Sequence, residues 1–133
     1  MPKTVMLCDD EVHILRAAEF KIRRAGYRVC SAANGEEAWK AIQEVRPDIL
    51  ITDCQMPRLD GFGLVERLRS NPATAALPVF MLTAKGFEIG SGEAEQWNLR
   101  GVVAKPFSPR ELLELVRGAI GPAEDAVPAG AEG

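Results

Sequence analysis

Asp48-Ile49-Leu50-Ile51-Thr52-Asp53 sets three aliphatic side chains in a row between two carboxylates. Successive side chains of a strand point to opposite faces, so a strand with one wet face alternates apolar and polar residues. This run does not alternate. A continuous apolar run suits a strand covered on both faces, as in a parallel sheet with helices on either side. The predicted strand, 48–52, then delivers Asp53 at its carboxyl end.

Working outward, strand-like and helix-like patterns alternate. Toward the N-terminus, Thr4 to Cys8 is a short apolar run followed by Asp9-Asp10-Glu11. Leu15, Ala18, Ile22 and Ala25 then share one helical face, and Gly26 follows as a stop. Tyr27 to Ala32 reads as a second strand. Asn34 stands three residues before Glu37 in a loose capping-box pattern. Ala38, Ala41, Ile42 and Val45 form the stripe behind it, which Pro47 helps to end.

Toward the C-terminus, a short helix is predicted after Gly61, with Leu64 and Leu68 one turn apart and Asn71-Pro72 as its breaker. Pro78 to Leu82 reads as a fourth strand. Glu93 to Trp97 reads as a brief helix behind a glycine-rich entry (Gly86, Gly90, Gly92), and Val102 to Ala104 as a fifth strand. Ser108-Pro109-Arg110-Glu111 is a strong helix start, with an N-cap serine, proline in the first position and glutamate in the third. Leu112, Leu115, Val116 and Ala119 follow on one face. Residues 121–133 show no periodicity and read as a disordered tail or linker.

Five strands alternating with five helices predict an α/β, doubly wound (βα)5 domain over residues 1–120, with a parallel sheet and helices on both faces. The bulk properties agree. An apolar content of 47% in 133 residues is ordinary for one globular domain. A net charge of −3 gives no sign of nucleic-acid or membrane binding. No apolar run approaches the roughly 20 residues that span a bilayer, and Met1 to Leu7 does not resemble a signal peptide. Cys8, Cys30 and Cys54 are odd in number and have no C-x-x-C spacing, so reduced and mostly buried thiols in a cytoplasmic protein are expected. His13, the single histidine, makes zinc binding a poor fit and is expected at the surface near the first helix.

In open α/β sheets, function sits at the carboxyl ends of the strands. There the prediction gathers Asp9 and Asp10 after the first strand, Asp53 after the third, Thr83 after the fourth and Lys105 after the fifth. Converging carboxylates repel, and at least one should have a raised pKa unless something neutralises them. A hard divalent cation would do so, and Mg²⁺ favours carboxylates, water and phosphate oxygens. Lys105 adds a positive point charge, and the Thr83 hydroxyl can donate to a phosphoryl oxygen. Each residue alone has a bland reading, such as a strand-end aspartate forming a turn. Their shared sheet edge favours the chemical one.

Val5-Met-Leu-Cys-Asp-Asp-Glu11, Ile51-Thr-Asp-Cys-Gln-Met-Pro-Arg-Leu-Asp-Gly61, Met81-Leu-Thr-Ala84 and Ala104-Lys-Pro-Phe107, in this order and spacing, resemble the response-regulator receiver family over about residues 3 to 120. The resemblance implies the flavodoxin-like strand order 2-1-3-4-5. It implies Asp53 as phospho-acceptor, and Asp9, Asp10, Asp53 and the backbone carbonyl of Gln55 around Mg²⁺. It implies Thr83 and Lys105 on the phosphoryl group, and a cis Lys105-Pro106 bond. A histidine kinase or phosphotransfer protein would be the donor, docking near the first helix and the loop after the fifth strand. A protein effector or a further domain past Gly133 would be the output, and a monomer or a weak, phosphorylation-dependent dimer the state. Met1 favours an N-terminal position in any longer chain.

Departures from the family pattern bear on output. The position three residues before the lysine often holds an aromatic switch, and here it is Val102, which has no ring to swing. Asn98 stands where the family has a glycine and can adopt its left-handed conformation. The expected mobile element is therefore the glycine-rich stretch from Lys85 to Gly92. Trp39 and Trp97 are expected to pack rather than anchor a partner. Cys54 is expected to be redox-silent, since its acidic surroundings disfavour the thiolate.

Two other functions compete. A flavodoxin-type electron carrier would need a Ser/Thr/Gly phosphate loop where Asp9-Asp10-Glu11 stands. An aspartyl-phosphate hydrolase usually has a second aspartate two residues after the nucleophile, where this chain has Gln55, which is no acid–base. No helix-turn-helix pattern follows residue 120, so direct nucleic-acid binding finds no support in these residues.

Overall fold

The sheet consists of β1 (Thr4–Cys8), β2 (Arg28–Ala32), β3 (Ile49–Asp53), β4 (Val79–Thr83) and β5 (Gly101–Ala104). All pair in parallel, in the order β2-β1-β3-β4-β5. The helices are α1 (Val12–Arg24), α2 (Gly35–Val45), α3 (Gly61–Ser70), α4 (Ser91–Gln96) and α5 (Pro109–Ile120). This computed structural model describes residues 2–84 and 91–123, without the side chains of Ser91 and Glu93.

All five residues of β3 are buried. Alternation then sorts side chains between two cores. Val5, Leu7, Ile49 and Ile51 face the layer built with Leu15, Ala18 and Ile22 of α1 and Leu112, Leu113 and Val116 of α5. Met6, Cys8 and Leu50 face the opposite layer, with Ala38 and Ile42 of α2 and Leu64, Val65 and Leu68 of α3. The doubly wound architecture follows from these two apolar faces.

Local signals set the helix ends. Asn34 accepts the Glu37 amide at 3.0 Å, Asp60 accepts the Gly63 amide at 2.8 Å, and Ser108 with Glu111 forms a full capping box. Arg46, at φ 53°, turns left-handed and ends α2. That is why Val45, expected in the buried stripe, is 40% exposed: the packed face stops at Ile42. Leu113 is buried in α5, and the expected Leu115 and Ala119 only border the core.

Strand bounds differ slightly from expectation. Both β3 and β4 start one residue later, because Asp48 turns its carboxylate to the Thr4 amide (2.8 Å) and Pro78 has no N–H for a ladder. Tyr27 lies just ahead of β2 with its ring buried, and α4 starts two residues before Glu93. Gly121 to Ala123, expected to open a tail, lie against the sheet's amino end. Tyr27 donates its hydroxyl to the Gly121 carbonyl, the Lys3 amide donates to the Ala123 carbonyl, and Ala123 is buried. The remainder of that expected tail, 124–133, lies outside the described residues, as do residues 85–90 of the expected switch segment from Lys85 to Gly92.

Candidate functional site

Parallel register aligns the strand ends. Cys8 pairs with Ala32 and Thr52, Asp53 with Leu82, and Thr83 with Ala104. Ladder bonds continue just past them: Asp9 N to Ala32 O (3.1 Å), Cys54 N to Leu82 O (3.0 Å) and Lys105 N to Thr83 O (2.7 Å). Asp9, Asp10, Asp53, Thr83 and Lys105 thus come to one edge, as expected from their places at the strand ends.

Carboxylate oxygens of Asp9, Asp10 and Asp53 lie within 4.8 Å of one another. Asp9 and Asp53 are buried, and Asp10 is exposed. Lys105, its side chain only 12% exposed, lies 2.6 Å from Glu11 Oε1, 2.9 Å from Asp9 Oδ2 and 3.2 Å from Asp53 Oδ2. The Lys105-Pro106 peptide is cis.

Asp9 Oδ1 accepts the Glu11 amide at 2.9 Å. Asp9 Oδ2 is buried and accepts no hydrogen bond, although its ion-pair contact with Lys105 is close in distance. Burial pushes the Asp9 carboxyl above the usual carboxylate range, and the Asp53 charge adds to this, against the pull of Lys105 and the Glu11 amide. Burial alone would lower the Lys105 ammonium. Its close contacts with the Asp9 and Glu11 carboxylates and the charge of Asp53 outweigh that, so it is held above the ordinary lysine value. A buried carboxylate oxygen without a directed donor, beside two other carboxylates, fits a hard cation better than it fits the lysine alone.

Two of the thiols, Cys8 and Cys54, sit where the thiolate is disfavoured. Burial pushes Cys8 up to about 12, and Cys54 is also raised, by burial first and by the Asp53 charge second. Sequence reasoning named only the second cause. Cys30 is half-buried and His13 exposed. Trp39 and Trp97 border the core on the α2–α3 side, and Asn98 takes the left-handed conformation expected of it (φ 54°). Thr83 is buried at the end of β4, and Val102 is 40% exposed.

Three contributors escaped the sequence reading. Glu11 was part of the acidic run but had no role assigned; it makes the shortest contact to Lys105. Gly61 closes the β3–α3 loop against the acceptor strand, donating its amide to Cys54 O at 3.1 Å. A Cβ there would stand 2.3 Å from Asp53 O. Arg69 donates to four backbone carbonyls, those of Leu77 (2.8 Å), Ala75 and Trp97 (3.0 Å each) and Asn98 (3.2 Å). It ties the end of α4 to the α3–β4 loop.

A doubly wound five-stranded sheet with an acidic, lysine-bridged cleft at its carboxyl edge defines a flavodoxin-like domain of the signalling kind. The family model described as "Response regulator receiver domain" matches residues 5–117, and the chain belongs to that family. It is 34% identical over 128 residues to the alkaline phosphatase synthesis transcriptional regulatory protein PhoP of Bacillus subtilis, covering 96% of this chain and 52% of that one. The chain thus spans about half the length of such curated relatives. Among solved structures, chemotaxis response regulator CheY4 of Vibrio cholerae superposes with a TM-score of 0.82 at 30% identity, covering 90% of this chain and all of that one (100%). The receiver domain of the sensor histidine kinase PA1611 of Pseudomonas aeruginosa, solved with a magnesium ion in its active-site cleft, gives 0.79 at 27% identity and covers 91% and 99%. This is a receiver domain of the two-component response regulators, a signalling switch, and the electron-carrier alternative is set aside. Among the described residues no helix is long and apolar enough to cross a membrane.

Proposed function

We propose that Asp53 is the phospho-acceptor of this switch and that Mg²⁺ is its cofactor. The observation that carries the reading is the convergence on Lys105 of Asp53 and of Asp9, whose buried Oδ2 lacks a hydrogen bond. Asp9, Asp10, Asp53 and the Gln55 carbonyl would hold the ion, which neutralises charge on the transferring group when bound. An Asp53 oxygen bonds to phosphorus as the donor's bond to phosphorus breaks. An acyl-phosphate donor leaves as its carboxylate with the electron pair. A phosphohistidine donor leaves as a neutral ring if it enters protonated. Lys105 and the Thr83 hydroxyl meet the new phosphoryl oxygens.

A cytoplasmic histidine kinase or phosphotransfer protein would supply the phosphoryl group. A protein effector or a further domain, as the greater length of PhoP favours, would take the output. With Val102 in place of an aromatic ring, we assign the output movement to the segment beginning at Lys85.

The test is mass spectrometry after incubation with acetyl phosphate and Mg²⁺. One alkali-labile phosphoryl mass is expected, lost in Asp53→Asn because an amide is a poor nucleophile. Asp10→Ala should weaken Mg²⁺ binding and labelling together. Full labelling of Asp53→Asn, or unchanged Mg²⁺ affinity in Asp10→Ala, would overturn the corresponding assignment.

A further inference from the structure

Glu11 occupies the N-cap position of α1, yet its carboxylate caps nothing. The side chains that cap at this position are the short ones of Ser, Thr, Asp and Asn, and the longer Glu11 is free to reach elsewhere. Here the backbone alone serves the helix, with Glu11 O accepting from Ile14 N (3.1 Å) and Leu15 N (3.2 Å). The carboxylate instead reaches Lys105 Nζ at 2.6 Å, closer than Asp9 or Asp53. Among the described residues Glu11 is the one ion-pair partner of Lys105 outside the cluster of three aspartates.

An ammonium has three protons to donate. Lys105 donates to Glu11 at 2.6 Å and to Asp53 at 3.2 Å, and Asp9 Oδ2 stands 2.9 Å away without accepting a directed bond. Its strongest donor is the one Glu11 holds, so a phosphoryl oxygen that takes that donor has to displace Glu11. The Asp9 and Asp53 side chains are nearly inaccessible (1% and 9%), whereas that of Glu11 is 55% exposed and can be rehydrated as it leaves.

We propose that Glu11 is a positioning residue that latches Lys105: in the unphosphorylated protein it holds the donor the phosphoryl group requires, and it yields that donor on phosphorylation. The proposal rests on Asp53 being the acceptor. An ion pair with one exposed partner is worth up to about 1 kcal/mol, so the latch should slow phosphorylation by about two- to fivefold.

The experiment compares phosphorylation rates from acetyl phosphate at saturating Mg²⁺ for the unaltered protein, Glu11→Gln, Glu11→Ala and Glu37→Gln. Glu37 is an exposed carboxylate whose field reaches Cys8 at the same sheet edge. It controls for simple repulsion of an anionic donor. Both Glu11 variants should react about two- to fivefold faster, with Glu37→Gln unchanged. The ¹⁵N resonance of Lys105 Nζ should move in the Glu11 variants alone, which a purely structural role would not cause. An equal gain in all three variants, or no gain with Lys105 unmoved, overturns the latch while Asp53-dependent labelling leaves the acceptor standing. If labelling survives Asp53→Asn, the acceptor reading falls and the latch falls with it.

Discussion

Lys105 Nζ stands 3.2 Å from Asp53 Oδ2, although β4 lies between the strands that deliver the two residues. Neighbouring strands are about 4.8 Å apart, so the gap spans two strand spacings and needs a side chain as long as lysine to close it. Backbone pairing of Lys105 N with Thr83 O sets where that side chain starts. The contact is therefore a product of sheet order, and it sits in a pocket where negative charge is in excess.

Lys105→Met should test that balance. It removes the cation that Asp9 and Asp53 share while keeping much of the side chain's length. In metal-free buffer at neutral pH, urea unfolding should show a loss of about 2 kcal/mol, below the range for breaking a fully buried pair because Lys105 keeps some solvent. Saturating Mg²⁺ should restore part of it. No loss in the presence of a chelator would mean the carboxylates do not depend on this lysine.

Asp9 makes a pH prediction of definite sign. Burial raises its folded pKa above the unfolded value, so the folded protein binds the extra proton between those two values. The stabilisation from that proton is complete below the unfolded pKa and is lost as pH rises through the folded one. Asp9→Asn, which cannot titrate, should flatten this slope in metal-free buffer, and its stability relative to the unaltered protein should improve as pH rises from the carboxylate range toward neutrality. Denaturation midpoints across that range check it, and a parallel pair of curves would refute the burial argument.

The residues that period and local motif control were readable in advance. Aliphatic runs marked the strands, Asn34 and Ser108 marked helix starts, and the five polar residues at the ends of four strands fell at one edge because parallel strands put all their carboxyl ends together. Contacts that depend on distant pairing were not readable. Glu11 and Lys105 are 94 positions apart, and nothing local marks the pairing. Ala123 is small and lies two residues past a helix-ending glycine, and only its return to the sheet's amino end, where its carbonyl accepts the Lys3 amide, makes it part of the core.

Arg69 is another such case, since its acceptors are carbonyls that no sequence pattern announces. Arg69→Met should leave those carbonyls short of a donor and cost about 1–3 kcal/mol. Hydrogen exchange should speed up locally around residues 97–100, where Leu99 N and Arg100 N hold the end of α4 and the approach to β5. A uniform change across the whole sheet would mean that Arg69 acts globally and not as a local tie.

Gly61→Ala should couple stability to the acceptor strand. An added Cβ would stand 2.3 Å from Asp53 O, 2.9 Å from Cys54 Cα and 2.9 Å from Met81 Sδ. The methionine sulfur can move aside, but the two backbone atoms belong to the buried end of β3 and the turn after it. Relief therefore requires either α3 to back away, breaking the Gly61 N to Cys54 O bond, or Asp53 to shift relative to Lys105. Overpacking of this kind costs about 1–3 kcal/mol. The substitution should lower the unfolding midpoint and also slow labelling by acetyl phosphate at temperatures where the variant remains fully folded. Gly63→Ala is the comparison: its Cβ would first meet the flexible tip of Leu59, at 2.6 Å, and no atom of the acceptor strand is among its nearest neighbours. It should therefore disturb labelling much less. If the two variants label equally fast while Gly61→Ala is clearly the less stable, then the α3 end yields and Asp53 stays in place. The close approach of Gly61 would then support the fold without tuning the site.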